Sequence, residues 1–579
     1  MDNRNTILAI LLSIGILLGW QFFFAPKTTP TSDTPPATAP AAPPATPGSA
    51  DGSAVTAPAA GVPTAETPAV PEKRITITTP FVHGTLSLTG GRFDDITLVN
   101  YRETQDPESP AIVLLAPAAT PKPYYAEWGW ITNDSSVAVP GPSTIWQTEN
   151  PDAMLTETTP IVLTWDNGQG LAFKRTIRAD KQYLFTIEQS VANSGGKPVT
   201  LYPYSLIARL DPVTSSTLGA GHEGPLGVFD RTLKEVKYSD LKKRGRDSME
   251  SAGGWIGVTD KYWLTAVSFG PSLKISANYH YTDVNGHERY QTDLRADPIT
   301  AGPGETKSVT GFLFAGAKEL QLLDAYAENP GIPRFDLAID FGWYYFLTKP
   351  FFLALRWLHG VMGNFGLAII AFSTLVRMLM FPIANKQFNT MNKMKKLQPE
   401  MKRLQEKHAN DRTKLNQELM ELYKREKANP LSGCLPILIQ IPVFYALYKV
   451  LSVTIEMRHA PFFGWVHDLS APDPTSIINI FGLLPFTPPT FMHVVSIGAW
   501  PIIMGATMWI QQRLSPQPAD PMQARVMMLM PLIITFVLAP YAAGLVIYWA
   551  WSNTLGILQQ YVLLKRSEAE ATPPPATVA

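Results

Sequence analysis

Cysteine is nearly absent. Cys434 is the only one in 579 residues, which excludes an intramolecular disulfide and any metal site built from several thiolates. It stands at the head of an apolar run, so an inert buried thiol is expected. Charge is also scarce, at 17% of residues, and sums to zero. Composition therefore offers no electrostatic argument for nucleic acid, and no direct nucleic-acid partner is expected. Walker A, HExxH and GxSxG sequences are missing. Residues 219–224, GAGHEG, match GxGxxG by count, but no strand pattern precedes them and Pro225 follows. Residues 239–242 match SxxK within a charged stretch, as chance allows. No catalytic residue, metal ligand or cofactor is expected, and the chain does not read as an enzyme.

Aromatic residues are missing from residues 25–72, where Pro, Ala and Thr dominate. Such a segment cannot bury a core and reads as a disordered linker. Before it, residues 7–24 form an apolar stretch of 18 residues. That is longer than a signal-peptide core and has no small-x-small cleavage site, so residues 1–24 read as an uncleaved signal-anchor helix. Residues 73–335 show period-two alternation in short runs (74–78, 85–89, 161–165, 183–191, 199–206, 273–281). No helical pattern separates these runs, so a sandwich of antiparallel sheets is expected.

The long apolar runs crowd into the remaining residues. An aromatic stretch over 336–358, broken at Lys349-Pro350, reads as an interfacial amphipathic helix. Spans are expected at 359–383, 431–453, 492–512, 526–541 and 542–564. With the N-terminal anchor they make six. The segment 384–430 carries 12 Lys and Arg, whereas the loop 454–491 carries only Arg458. The positive-inside rule then puts the first segment, the loop 513–525, the tail 565–579 and both termini in the cytoplasm. The β domain and the 454–491 loop fall outside, in a periplasm if one exists. Within the basic segment, Met394, Leu397, Met401 and Leu404 share helical spacing, as do Leu415, Leu419, Leu422 and Tyr423. An Asn410-Asp411 turn between them makes a hairpin. Met394, Lys395, Met401 and Lys402 are its candidate contacts with lipid, a ribosome or a nascent chain.

Arg377 lies inside the apolar run 363–383, which as a helix would be about 31 Å long, the thickness of a bilayer's hydrocarbon. A charge there needs a partner, water or an exit. It either snorkels towards the nearby end of the run or faces a wet cavity. Ser373 and Thr374 share its helical face. Gln440, Tyr548 and Ser552 lie in other spans, where each taken alone would serve as glue between helices. Together they would line a hydrated, positively charged recess that lowers the cost of drawing a polar chain segment into the bilayer. An anion-binding solute transporter is an alternative reading, but no inverted repeat or paired broken helices support it. A membrane-anchored display protein with a carbohydrate-binding sandwich is another, but it has no use for polar residues inside spans.

The stretch NPLSGCLPILIQIPVF over 429–444 resembles the signature of the YidC/Oxa/Alb membrane-protein insertases. VRMLMFPI precedes it, and His467-Asp468-Leu469-Ser470 and Asp520-Pro521-Met522-Gln523 follow. The anchor and large sandwich point to the Gram-negative YidC form. This resemblance implies a periplasmic β-supersandwich, a five-helix insertase core plus the N-terminal anchor, a groove open to cytoplasm and lipid, and a cytoplasmic hairpin. It implies an inner-membrane insertase and chaperone working alone or beside the Sec translocon. Nascent inner-membrane proteins would be its substrates, with the lipid bilayer, ribosome and chaperones as further partners. The family's groove positions carry over to Arg377 and Ser373, and its pair of adjacent tyrosines to Tyr548 and Trp549. Residues 481–491 look like an insertion, and the tail lacks the basic residues that would support ribosome binding.

Overall fold

The computed structural model describes residues 72–571, apart from 151, 215–220, 272, 343, 409–410, 427–434, 485–495 and 515–520. The anchor and linker read from the sequence, and Cys434, lie outside the described residues. The chain forms two compact units.

The first unit holds the residues up to Val99, Val113–Asp260 and Thr265–Ala315. Its strands form a ten-stranded and a nine-stranded sheet, and the paired strands of both run antiparallel. The expected alternation is realised. Leu184–Asn193 buries every second residue over most of its length, as a strand covered on one face must. Strands begin or end within a few residues of the sequence-based bounds, at Arg74–Thr78, Ile161–Asp166, Val199–Leu210 and Ile275–Val284. Rings from both sheets interleave: Phe93 lies 5.2 Å from Phe185, and Trp130 6.4 Å from Phe173. Arg175 is fully buried among them. It donates to the carbonyls of Gly91 at 2.9 Å and Trp128 at 2.6 Å, and so ties one sheet to the other. It has no ion pair among the described residues, and burial lowers its pKa to about 10. The nearby Glu127 is held by Arg92 at 3.0 Å and by the Tyr204 hydroxyl at 3.1 Å. The SxxK match falls on a single short helix, α1 (Tyr238–Arg244), where Leu241 is buried and Lys242 pairs with Glu288.

The second unit holds Asn100–Ile112, Lys261–Leu264 and Gly316–Ala579. Its helices are α2 (Leu320–Glu328), α3 (Tyr345–Met362), α4 (Phe365–Leu379), α5 (Phe381–Lys407), α6 (Arg412–Arg425), α7 (Leu435–Val453), α8 (Ala499–Leu514), α9 (Pro521–Leu538) and α10 (Ala543–Ala571). The break expected at Lys349-Pro350 does not occur there. α3 starts only at Tyr345, so Pro350 sits in its second turn, and the interruption falls in the stretch before it. Gly363 closes α3 in the left-handed conformation at φ 68°. Asn364 then caps α4, its side chain accepting from the Leu367 N–H at 3.1 Å.

Among the described residues no helix is long and apolar enough to cross a membrane. The run 363–383 is divided at Met380 between α4 and α5. The described part of the 492–512 run becomes helical only at Ala499. α10 packs along α4 and α8 and touches α7, while α3 lies against α4 and α7. In the hairpin of α5 and α6, Asp411 caps α6 by accepting from the Lys414 N–H at 3.0 Å, as its sequence position predicts. Arg425 reaches Glu400 at 2.7 Å across the pair.

Candidate functional site: a polar seam around Arg377

The seam runs where α4, α7 and α10 meet. Arg377, one helical turn after Ser373 and Thr374, is half-buried near the end of α4. Its Nη2 donates to the backbone carbonyl of Ser552 on α10 at 2.8 Å. Among the described residues it forms no ion pair, and its buried Nε has no protein partner. A guanidinium offers five donors in a fixed fork, so one carbonyl leaves most of its hydrogen-bonding capacity unused.

Neighbouring polar groups pair across the helices. Gln440 on α7 donates to the Tyr548 hydroxyl at 2.5 Å. Trp551 Nε1 donates to Thr374 Oγ1 at 3.0 Å, and that hydroxyl donates on to the Ile370 carbonyl at 2.8 Å. Ser373 is buried, and its hydroxyl has no partner among the described residues. Arg377, Ser373, Thr374, Gln440, Tyr548 and Ser552 are therefore brought to one region. Trp549 is turned elsewhere. It stacks edge-on against Phe444 at 4.7 Å and joins an apolar cluster with Met504, Leu538, Val546 and Ala550.

Sequence reading missed Trp551 and Gly556. Trp551 was hidden because an indole in an apolar run reads as packing. A side chain on Gly556 would place its Cβ 3.0 Å from Arg377 Nη2 and 2.8 Å from Gln511 Nε2. The glycine therefore lets two polar side chains approach α10. Its signal was a glycine inside the last apolar run, where small residues mark close approach.

The hairpin candidates divide. Met401 is buried against the partner helix, with the Tyr423 hydroxyl 3.8 Å from its sulfur. Lys402 is exposed and Met394 half-buried. The side chain of Lys395 lies outside the described residues.

Residues 74–354 match the family described as the YidC periplasmic domain, and residues 357–570 the family described as the 60Kd inner membrane protein. The chain is thus an inner-membrane protein with a periplasmic β domain. It is 45% identical to the membrane protein insertase YidC of Bradyrhizobium diazoefficiens over 98% of this chain and 96% of that protein. Identity to the membrane protein insertase YidC of Nitrobacter hamburgensis is 48%, over 98% and 95%. A crystal structure of an active YidC insertase is 19% identical, covers 85% of this chain and 92% of its own, and has a TM-score of 0.36. The chain belongs to the YidC family of membrane protein insertases. Insertion moves a polypeptide without making or breaking its bonds, so the chain is not an enzyme.

Proposed function

We propose that this protein inserts inner-membrane proteins by hosting the polar part of a passing chain beside Arg377 while the apolar part partitions into lipid. The observation that carries the reading is the guanidinium itself. It lies among apolar helices, and among the described residues it forms no ion pair and is held by one backbone carbonyl. Acidic segments are favoured at such a charge, and hydrophobic partition and the membrane potential supply the driving force. Six spans with both termini in the cytoplasm fit the charge distribution of the loops. On this topology the α5–α6 hairpin receives substrate from the cytoplasm, with lipid, a ribosome, chaperones and the Sec translocon as partners.

The test is reconstitution in liposomes with a two-span substrate whose translocated loop is acidic. Wild type is expected to protect that loop from protease, Arg377→Ala to lose most of the protection, and Arg377→Lys to retain part of it. Protection no greater than in empty liposomes defeats the insertase reading. Equal activity of all three proteins defeats the role of Arg377.

A further inference from the structure

No residue from Pro474 to Met492 is ionisable. Within this stretch Ile480–Gly482 make a tight turn in a compact knuckle, residues 476–484. Three successive residues there are left-handed: Ile480 at φ 51°, Phe481 at 57° and Gly482 at 95°. A β-branched and an aromatic residue hold that conformation only when their surroundings impose it. The hydrogen bonds show what does so. The N–H of Ile480 donates to Ile477 O at 3.2 Å and that of Phe481 to Ser476 O at 2.7 Å. Gly482 N–H reaches Asn479 Oδ1 at 2.9 Å, Leu483 N–H reaches Ile480 O at 3.2 Å, and Leu484 N–H reaches Asn479 O at 3.0 Å. Each of these five amides is satisfied inside the knuckle.

The side chains do the opposite and turn outward. Ile477, Ile480, Phe481 and Leu484 are each exposed by two fifths to a half, and Leu483 by 80%. Satisfied amides with outward apolar side chains are what an apolar phase demands of a backbone. In water the same arrangement leaves a bare hydrophobic patch.

The base of the knuckle is fixed to the start of α8. Ile477 N–H donates to Ile497 O at 3.0 Å, and Ser496 Oγ donates to Ser476 Oγ at 2.7 Å. Asp473 and Thr475 accept from the N–H groups of Trp500 at 2.8 Å and Ala499 at 2.9 Å. From there α8 continues with Ile502, Ile503, Trp509 and Ile510 exposed. The knuckle is therefore bonded to the start of α8, on the side that the charge distribution places outside, and both carry exposed apolar side chains. It has no charge with which to hold a headgroup phosphate or an ionic protein surface.

We infer that residues 477–484 dip into the outer leaflet around the first turn of α8, with the acyl region of phospholipid as their partner. The inference rests on α8 being a span. Its test uses the full chain in phosphatidylcholine nanodiscs, with Cys434→Ser to clear the native thiol. A bimane label is placed on Leu483→Cys in one protein and on Ile502→Cys, within α8, in another. The expected result at 483 is loss of emission with lipid brominated near the headgroup, less loss with lipid brominated deep in the chain, and little loss with aqueous iodide. Bromolipid quenching at 502 but not at 483 overturns the inference alone. Quenching at neither position overturns the span reading and the inference together. A label at 483 shielded from both bromolipid and iodide assigns the knuckle to a protein partner and likewise overturns it.

Discussion

Glu456 sits in the 3-10 turn Ile455–Met457 with one carboxylate oxygen buried and without a partner among the described residues. Burial pushes its carboxyl up to about 7 against the opposing effect of Arg356 on α3 and the Leu320 N–H, while Glu319 adds to the rise. The fold thus favours the neutral acid. Its contribution is fully present below the ordinary value of 4.5 and is lost as pH rises through about 7. Thermal melts of the wild type should lose on the order of 2 kcal/mol between pH 5 and pH 8 from this group, and Glu456→Gln should remove that part of the slope. Gly556 is the counterpart inside the seam. Gly556→Leu should displace Arg377 from the Ser552 carbonyl. Insertion of an acidic-loop substrate should then fall towards the Arg377→Ala level, while a neutral-loop substrate is little affected. Equal losses for both substrates would mean only that helix packing had been damaged. Nothing local marks a glutamate as buried, and a glycine inside an apolar run signals close approach without telling that Arg377 is the neighbour.

At the scale of elements, starts and stops were written locally. Asn364 and Asp411 cap α4 and α6 from the positions that their side-chain chemistry favours, and Gly363 ends α3. The start of α8 was harder to read because its cap is not adjacent. Asp473 and Thr475 reach it from more than twenty residues away. Asp473→Ala should destabilise this end by about 1 kcal/mol, the usual worth of a helix cap. Amide exchange should accelerate in the first turn of α8 and not in α10. The division of the run 363–383 at Met380 was equally invisible, since hydropathy does not register where a helix is interrupted.

The boundaries of the whole molecule do not follow the chain. Segments Asn100–Ile112 and Lys261–Leu264 are embedded in the β-rich part of the sequence, yet they belong to the helical unit. Arg458 Nη2 donates to the Arg102 carbonyl at 2.6 Å, and its guanidinium lies 5.5 Å from the Trp263 ring centre. The Gln105 side chain reaches the His467 carbonyl at 2.5 Å. Deleting residues 73–320 should leave insertion in liposomes largely intact, because the polar seam lies elsewhere. The same deletion removes those partners of the 454–471 loop and should lower the melting temperature of what remains. Loss of insertion without loss of helical fold would place part of the activity in the β unit.

Alternation at period two, the long apolar runs and the basic segment 384–430 led by themselves to a β domain followed by apolar helices and a hairpin. These are patterns of neighbours in sequence, and burial of a face acts on such neighbours directly. Only the tertiary structure decided that Arg377 rests on a carbonyl of α10, that Trp551 and not Trp549 serves the seam, and that Gly556 makes room for both Arg377 and Gln511. Each of these depends on a contact across well over a hundred residues or between separate helices, where packing, not local preference, selects the partner.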